Sequence, residues 1–216
     1  MRLKIEAARR QLGTALYLFM EDMDPVSVQC LAGGGGEVME FYALKLHGNS
    51  FMNVIVQTHP EHDEKKLRRA RNEFWNAFKH AGFHGGQVER DDENLLARFD
   101  EEMNIHALMM GWTDYANASG HMPIEAQVFQ VWAYARQPPK SARSRARDAC
   151  CGMFPGLDKV GMAEQKRRLK TKIAEMRGEW ALMGNPKTDV RGLVLPWREE
   201  AHNPASLLSR VESLKG

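Results

Sequence analysis

Cysteine is scarce in this chain of 216 residues: only Cys30, Cys150 and Cys151 occur, the last two adjacent. Three such residues make no disulfide framework, and the lack of any Cys-x-x-Cys or spaced Cys/His quartet excludes a structural zinc site. Long apolar runs are also missing. Nothing approaches the roughly 20 apolar residues that span a bilayer, and the opening MRLKIEAARRQLG enters an amphipathic pattern rather than a signal-peptide core. The expectation is a cytoplasmic protein with no membrane partner. Catalytic signatures are thin as well. There is no Gly-x-Ser-x-Gly elbow and no cysteine in a recognisable catalytic setting. A di-metal bundle needs Glu-x-x-His on two helices, and only Glu199 to His202 has that spacing, Glu102 to His106 being one residue too long. Neither an internal repeat nor a low-complexity tract is present. No metal and no cofactor is implied.

What is present is helical periodicity on a near-average composition, 43% hydrophobic and 27% charged, enough for one packed core. Ile5, Ala8, Leu12, Ala15 and Phe19 share one face of a first helix over about Leu3 to Met20. Asp24-Pro25 caps and starts a second, because Asp24 can accept hydrogen bonds from free N–H groups and Pro25 has none to leave unpaired. Its apolar phase, Val28, Leu31, Gly35, Val38, Tyr42 and Leu46, keeps step across Gly33 to Gly36, so one helix is read through the glycines. Each interior glycine costs about 0.8–1 kcal/mol relative to alanine, and a close helix crossing is the expected compensation. A phosphate-cradling turn is disfavoured, since Glu37 stands where a Walker motif needs Gly-Lys-Ser/Thr.

Residues 51–56 are apolar and fit either helix or strand. A third clear helix is predicted from Pro60, with Leu67, Ala70, Phe74, Ala77 and Phe78 as its stripe and Gly82 as its stop. A fourth is predicted over Glu93 to Ala118, capped by Asp91 or Asp92, with Leu96, Phe99, Met103, His106, Met110 and Thr113 on its buried face. The fifth runs from Pro123 to about Arg136, closed by Pro138-Pro139. Beyond it, a helix over Ala163 to Met183 carries Leu169, Ile173, Met176, Trp180 and Met183 as its apolar face. An extended Leu193 to Trp197 and a short helix opened by Asn203-Pro204 follow. The predicted architecture is an all-α helical bundle of about five core helices, 1–139, with a basic helical C-terminal extension, 140–216, packing on the core or on a second copy.

The small net charge of +2 hides two opposed regions. Arg136 to Arg177 holds twelve basic residues against four acidic, while Glu89 to Glu102 holds seven acidic against two basic. Arg143, Arg145, Arg147, Lys166, Arg167 and Lys170 are the candidate phosphate contacts of a sequence-indifferent nucleic-acid binder. Lys166 to Lys172 lacks the interleaved aromatics of single-strand binders. The alternative is that acidic and basic regions meet, within one chain or across a homodimer.

Among the histidines, His59 and His62 begin the third helix while His80 and His84 end it, about 27 Å apart, so the four make no single metal site. Asn76, Lys79 and His80 share a face near the helix C-terminus, where Lys79 could hold a phosphodiester and His80 move protons. Cys150 and Cys151 are expected as small residues on a helix with Ala146 and Met153.

The opening KIEAARRQLGTALYLFMEDMDPVSVQCLAGGGGEVMEF, with NAFKHA at Asn76 to Ala81 and FPGLDKVGMAEQKR at Phe154 to Arg167, resembles a group of uncharacterised all-helical bacterial proteins over most of Leu3 to Arg168. A more distant resemblance is to HEPN domains, helical bundles of bacterial defence and toxin systems. Several of these are ribonucleases that use an Arg, a polar neighbour and a His five to seven positions beyond the Arg. Arg71-Asn72 begins that pattern, but His80 lies nine beyond, Arg98 to His106 is eight and Arg198 to His202 is four. The preferred expectation is a non-enzymatic interaction or regulatory module able to self-associate. The alternative is a HEPN-like ribonuclease using His80, Lys79, Asn76 and Arg71.

Overall fold

The computed structural model describes residues 2–61, 63–82, 89–136 and 145–195. Ten α-helices are described: α1 (Arg2–Met20), α2 (Pro25–His47), α3 (Phe51–Thr58), α4 (Glu64–Lys79), α5 (Glu93–Leu96), α6 (Glu102–Ser119), α7 (Ile124–Arg136), α8 (Arg145–Met153), α9 (Met162–Arg177) and α10 (Trp180–Met183). Two short parallel strands, β1 (Met122–Pro123) and β2 (Thr188–Asp189), pair Met122 with Thr188. The all-α helical bundle read from the sequence is the fold. Among the described residues no helix is long and apolar enough to cross a membrane. His62, His84, Arg143, the Pro138-Pro139 stop and the expected helix after Asn203-Pro204 lie outside the described residues.

α2 is continuous through the four glycines. Asp24 accepts from the backbone N–H of Val26 and Ser27 at 3.2 and 3.0 Å, closing its N-terminus. The helix packs against α1 on one side and α6 on another, with α4 on a third. Successive glycines serve these different neighbours, because each residue turns about 100° around the axis. A Cβ at Gly33 would sit 2.7 Å from Cγ of Trp75 on α4. One at Gly35 would sit 2.9 Å from Leu12 Cγ and 3.1 Å from the Ala8 carbonyl on α1. A Cβ at Gly36 would lie 3.6 Å from the Gly111 Cα of α6, an ordinary contact. Only at Gly34 is the nearest neighbour, the end of Gln11, at ordinary contact distance on a flexible side chain.

One apolar core runs through the bundle, with Leu12, Leu16, Phe19, Met39, Leu108, Trp112, Phe129 and Trp132 almost wholly buried. The segment after 145 contributes Phe154, Leu157, Leu169, Ile173 and Leu193 to that same core, so its described part packs on this chain. Residues 189–193 of this segment form a strap across α1. Buried Arg9 donates to Asp189 Oδ2 at 3.1 Å and to the carbonyls of Leu193 and Gly192 at 2.7 and 2.9 Å. The approach is so close that a Cβ at Gly13 would fall 2.2 Å from the Leu193 oxygen. Removing one partner of so buried an ion pair typically costs about 3–5 kcal/mol.

Several boundaries differ from the sequence reading. Residues 51–56 belong to a helix, α3, capped by Ser50 accepting from the Asn53 N–H. α4 starts at Glu64 rather than Pro60, because Asp63 caps it through the Lys65 N–H at 2.8 Å. The helix expected over 93–118 is two helices. Asp92 spends its carboxylate on Arg90, while Asp100 accepts from the Glu102 N–H and starts α6. Between them Phe99 turns to pack on Phe74 and Phe78. α9 stops at Arg177, before Gly178, and Trp180 is 87% exposed rather than buried.

The close crossing makes an uneven prediction for glycine replacements. Gly34→Ala should raise stability by up to about 1 kcal/mol, the helix-propensity gain. Gly33→Ala and Gly35→Ala should lower it, since Trp75 or the Ala8 backbone must move. Urea unfolding of the three variants measures this.

Candidate functional site

The residues grouped by sequence as a nuclease face do not converge. Arg71 and His80 are nine positions apart, which puts them about 180° around α4 and ~13 Å along it. Arg71 turns inward, its Nη1 2.5 Å from Glu40 Oε2 on α2 and its Nε 2.8 Å from Asn72 Oδ1. Lys79 is exposed and lies 4.2 Å over the Trp75 ring. His80 has extended backbone at the C-cap, where its N–H bonds the Asn76 carbonyl at 3.0 Å. Asn76 is half-buried.

The basic residues are similarly occupied. Lys166 is 2% exposed, its ammonium 2.7 Å from Asp22 and 2.8 Å from Glu101 and stacked over Phe19 at 4.2 Å. It is therefore not part of a solvated face. Arg167 pairs with Glu164 at 2.6 Å and Lys170 with Glu21 at 3.1 Å, both on the surface. Arg136 clamps Glu102, and Arg177 holds Glu125. Arg145 and Arg147 fall in the first turn of α8. The acidic and basic regions meet inside one chain. Cys150 and Cys151 are half-buried on α8, and burial pushes the Cys150 thiol above its usual range. Among the described residues no group of three His, Cys, Asp or Glu side chains is placed to hold a metal ion.

The side chains that do converge enclose a hollow of about 320 Å³ between α2, α3, α4 and α6. Its lining is apolar: Met52 and Ile55 from α3, Leu67 and Phe74 from α4, Met109 and Met110 from α6. Exposed Ala70, Met103, His106 and Tyr134 also line it and mark its mouth. Met103, His106 and Met110 belong to the row expected to face the core. The core face of α6 is instead Ile105, Leu108, Trp112 and Tyr115, so α6 is apolar on two sides, and His106 is not a core histidine.

One polar group in this wall is anomalous. Gln29 of α2 is 3% exposed, and its Oε1 is buried without a hydrogen-bond partner. Such an acceptor costs roughly 1–3 kcal/mol relative to a satisfied one. Beside the main hollow lies a second of about 20 Å³, lined by Gln29, Arg71, Ala107 and Met110 in common with the first and by Glu37, Asn72 and Asp114 of its own. Asp114 is 3% exposed and accepts from the Phe51 N–H at 2.7 Å, tying the start of α3 to α6. Burial, aided by the nearby negative charge of Glu40, pushes its carboxyl up to about 6, against the pull of the Phe51 hydrogen bond and Arg71. Gln29 was missed in the sequence because Val28 and Leu31 carry the apolar phase. The available signal was the row Gln29, Gly33, Gly36, Glu40, whose spacing of four, three and four places two polar residues on one glycine-lined face.

No family model matches this chain, and no curated protein or solved structure shows significant similarity to it. Geometry and chemistry alone therefore speak to function.

The raised carboxyl of Asp114 gives a pH signature. Below about pH 4 the group is protonated in both folded and unfolded chains. Above about pH 6 only the folded chain holds a buried carboxylate, so stability from this residue falls as pH rises across that window. Asp114→Asn should remove that fall, about 2 kcal/mol for a shift of this size, in urea unfolding compared at pH 4.5 and 7.5.

Proposed function

We propose that this protein is a non-enzymatic regulatory module that binds a small, mostly apolar molecule in the hollow between α2, α3, α4 and α6. The observation that carries this reading is the hollow itself, walled mainly by Met52, Ile55, Leu67, Phe74, Met109 and Met110, with the buried amide of Gln29 among the few polar residues of its lining. A volume of about 320 Å³ is within the range of small-molecule sites, which pair apolar walls with a few orienting polar groups. Binding rather than catalysis suits the groups available. Of the inner polar groups, the Gln29 amide transfers no protons at neutral pH and Arg71 is held by Glu40 and Asn72, while His106 stands at the exposed mouth.

The same arrangement suggests how occupancy is reported. α3 is two turns long and is joined to the bundle by the Asp114 hydrogen bond and by the hollow's own lining. A bound molecule touching α3, α4 and α6 ties these helices together and changes the surface they present to a partner. The charges of α9 and of Arg136 at the end of α7 favour this reading over nucleic-acid binding or a charge-matched homodimer. Arg136, Lys166, Arg167, Lys170 and Arg177 each have an acidic partner in the same chain.

Ethylbenzene at ten times its dissociation constant should stabilise the protein by about 1.4 kcal/mol, a rise in Tm of roughly 3–5 °C for a domain of this size. Ala70→Trp places a large ring at the exposed mouth and should abolish the rise without lowering the Tm of the free protein. Absence of the rise, or an equal rise in the Ala70→Trp variant, contradicts the reading.

A further inference from the structure

We infer that the molecule held in the main hollow is a neutral aromatic compound, its ring recognised by the methionine sulfurs of the wall. This rests on the reading of that hollow as a binding site and adds the chemical class of the occupant.

Charge restricts the occupant first. Arg71 is the arginine of the lining, and it spends Nη1 on Glu40 and Nε on Asn72. Its charge is thus matched within the protein, and among the described residues no carboxylate lines this hollow. An ammonium or a carboxylate carried into the apolar interior would lose its water without gaining a counter-ion there, a large cost.

Hydrogen-bonding capacity restricts it next. Gln29 Oε1 is covered by its surroundings and meets nothing in the hollow. The polar side chains open to solvent, His106 and Tyr134, stand at the mouth. A hydroxyl or N–H substituent therefore finds partners only at the mouth, and the body of the molecule inside is apolar.

Sulfur decides between an aromatic and a saturated body. Four of the chain's 13 methionines line this one hollow, Met52 from α3 and Met103, Met109 and Met110 from α6. A thioether gains from touching an aromatic ring beyond the effect of burial. Phe51 and Phe74 add ring-to-ring contacts of the same selectivity. A saturated chain or ring buries as much area and leaves both gains unused.

Calorimetric titration at pH 7.5 with ethylbenzene, 2-phenylethanol and 2-cyclohexylethanol tests this. The phenyl alcohol should bind about fivefold more tightly than the cyclohexyl alcohol, although burial alone favours the saturated ring with its larger apolar surface. Protein made with norleucine in place of methionine keeps the length of each side chain and loses the sulfur. It should lose at least half of that preference while keeping its helical circular dichroism. The double variant Met103→Leu, Met110→Leu, altering two side chains that are not fully buried, gives the same readout if the norleucine protein does not fold. Equal or tighter binding of the cyclohexyl alcohol, or a preference unchanged without the sulfur, overturns the aromatic assignment and, where ethylbenzene binds, leaves the apolar site standing. Failure of all three probes overturns the site itself.

Discussion

The organisation of this protein depends on how closely other helices approach α2. Three neighbours pack on it from three directions, and glycines at 33 and 35 let Trp75 and the α1 backbone near Ala8 come nearer than side chains would permit. The helix accepts a propensity cost of several kcal/mol for four interior glycines and recovers it as dispersion contact along the crossings. α4 is then fixed at two places, by Trp75 on Gly33 and by Arg68 and Arg71 on Glu40. Those pairings run in opposite chain directions, so α4 lies antiparallel to α2. The hollow lies beside this pinned helix, where α3 and α6 complete the walls.

Electrostatics ties distant segments of the bundle together. Several described residues of the basic stretch act in this way: Lys166 to Asp22 and Glu101, Arg136 to Glu102, Arg177 to Glu125. Buried Arg9 performs the same service for the strap that carries Asp189 and Leu193, with Arg191 holding both carboxylate oxygens of Asp189. The buried ties are costly to break and weakly screened, while pairs such as Arg167 with Glu164 contribute little. Among the described residues this internal matching is concentrated where the C-terminal helices meet α1, α6 and α7.

The helical character of the chain was legible in its sequence because apolar periodicity and caps such as Asp24 are local signals. α2 was traced through its glycines from phase alone. What misled was a helix with two apolar faces. On α6 the row Met103, His106 and Met110 has the spacing of a core stripe, yet it faces the hollow, and only the opposing Ile105, Leu108, Trp112 and Tyr115 reach the centre. The break at Phe99 was hidden for a related reason: its driving force is packing on Phe74 and Phe78, more than 20 positions away. Lys166 was read as a surface charge because its partners Asp22 and Glu101 are distant in sequence. Of the site, Arg71 was singled out for a different chemistry, whereas Gln29 and Asp114 gain meaning only once α2, α3 and α6 are placed together.

Gln29 and Asp114 join the packing to function. Both are buried polar groups, Gln29 in the wall of the main hollow and Asp114 in that of the small one beside it, and Gln29 Oε1 has no hydrogen-bond partner. Methionine gives direct access to the main hollow, since Met52, Met103, Met109 and Met110 line it while Met20 and Met39 lie in the core without lining it. Methyl NMR spectra of methionine-labelled protein titrated with ethylbenzene provide the most direct measurement. Saturable shifts confined to Met52, Met103, Met109 and Met110, with Met20 and Met39 unmoved, are the predicted result. Unchanged spectra, or shifts spread evenly over all the methionines, would contradict a ligand site between these helices.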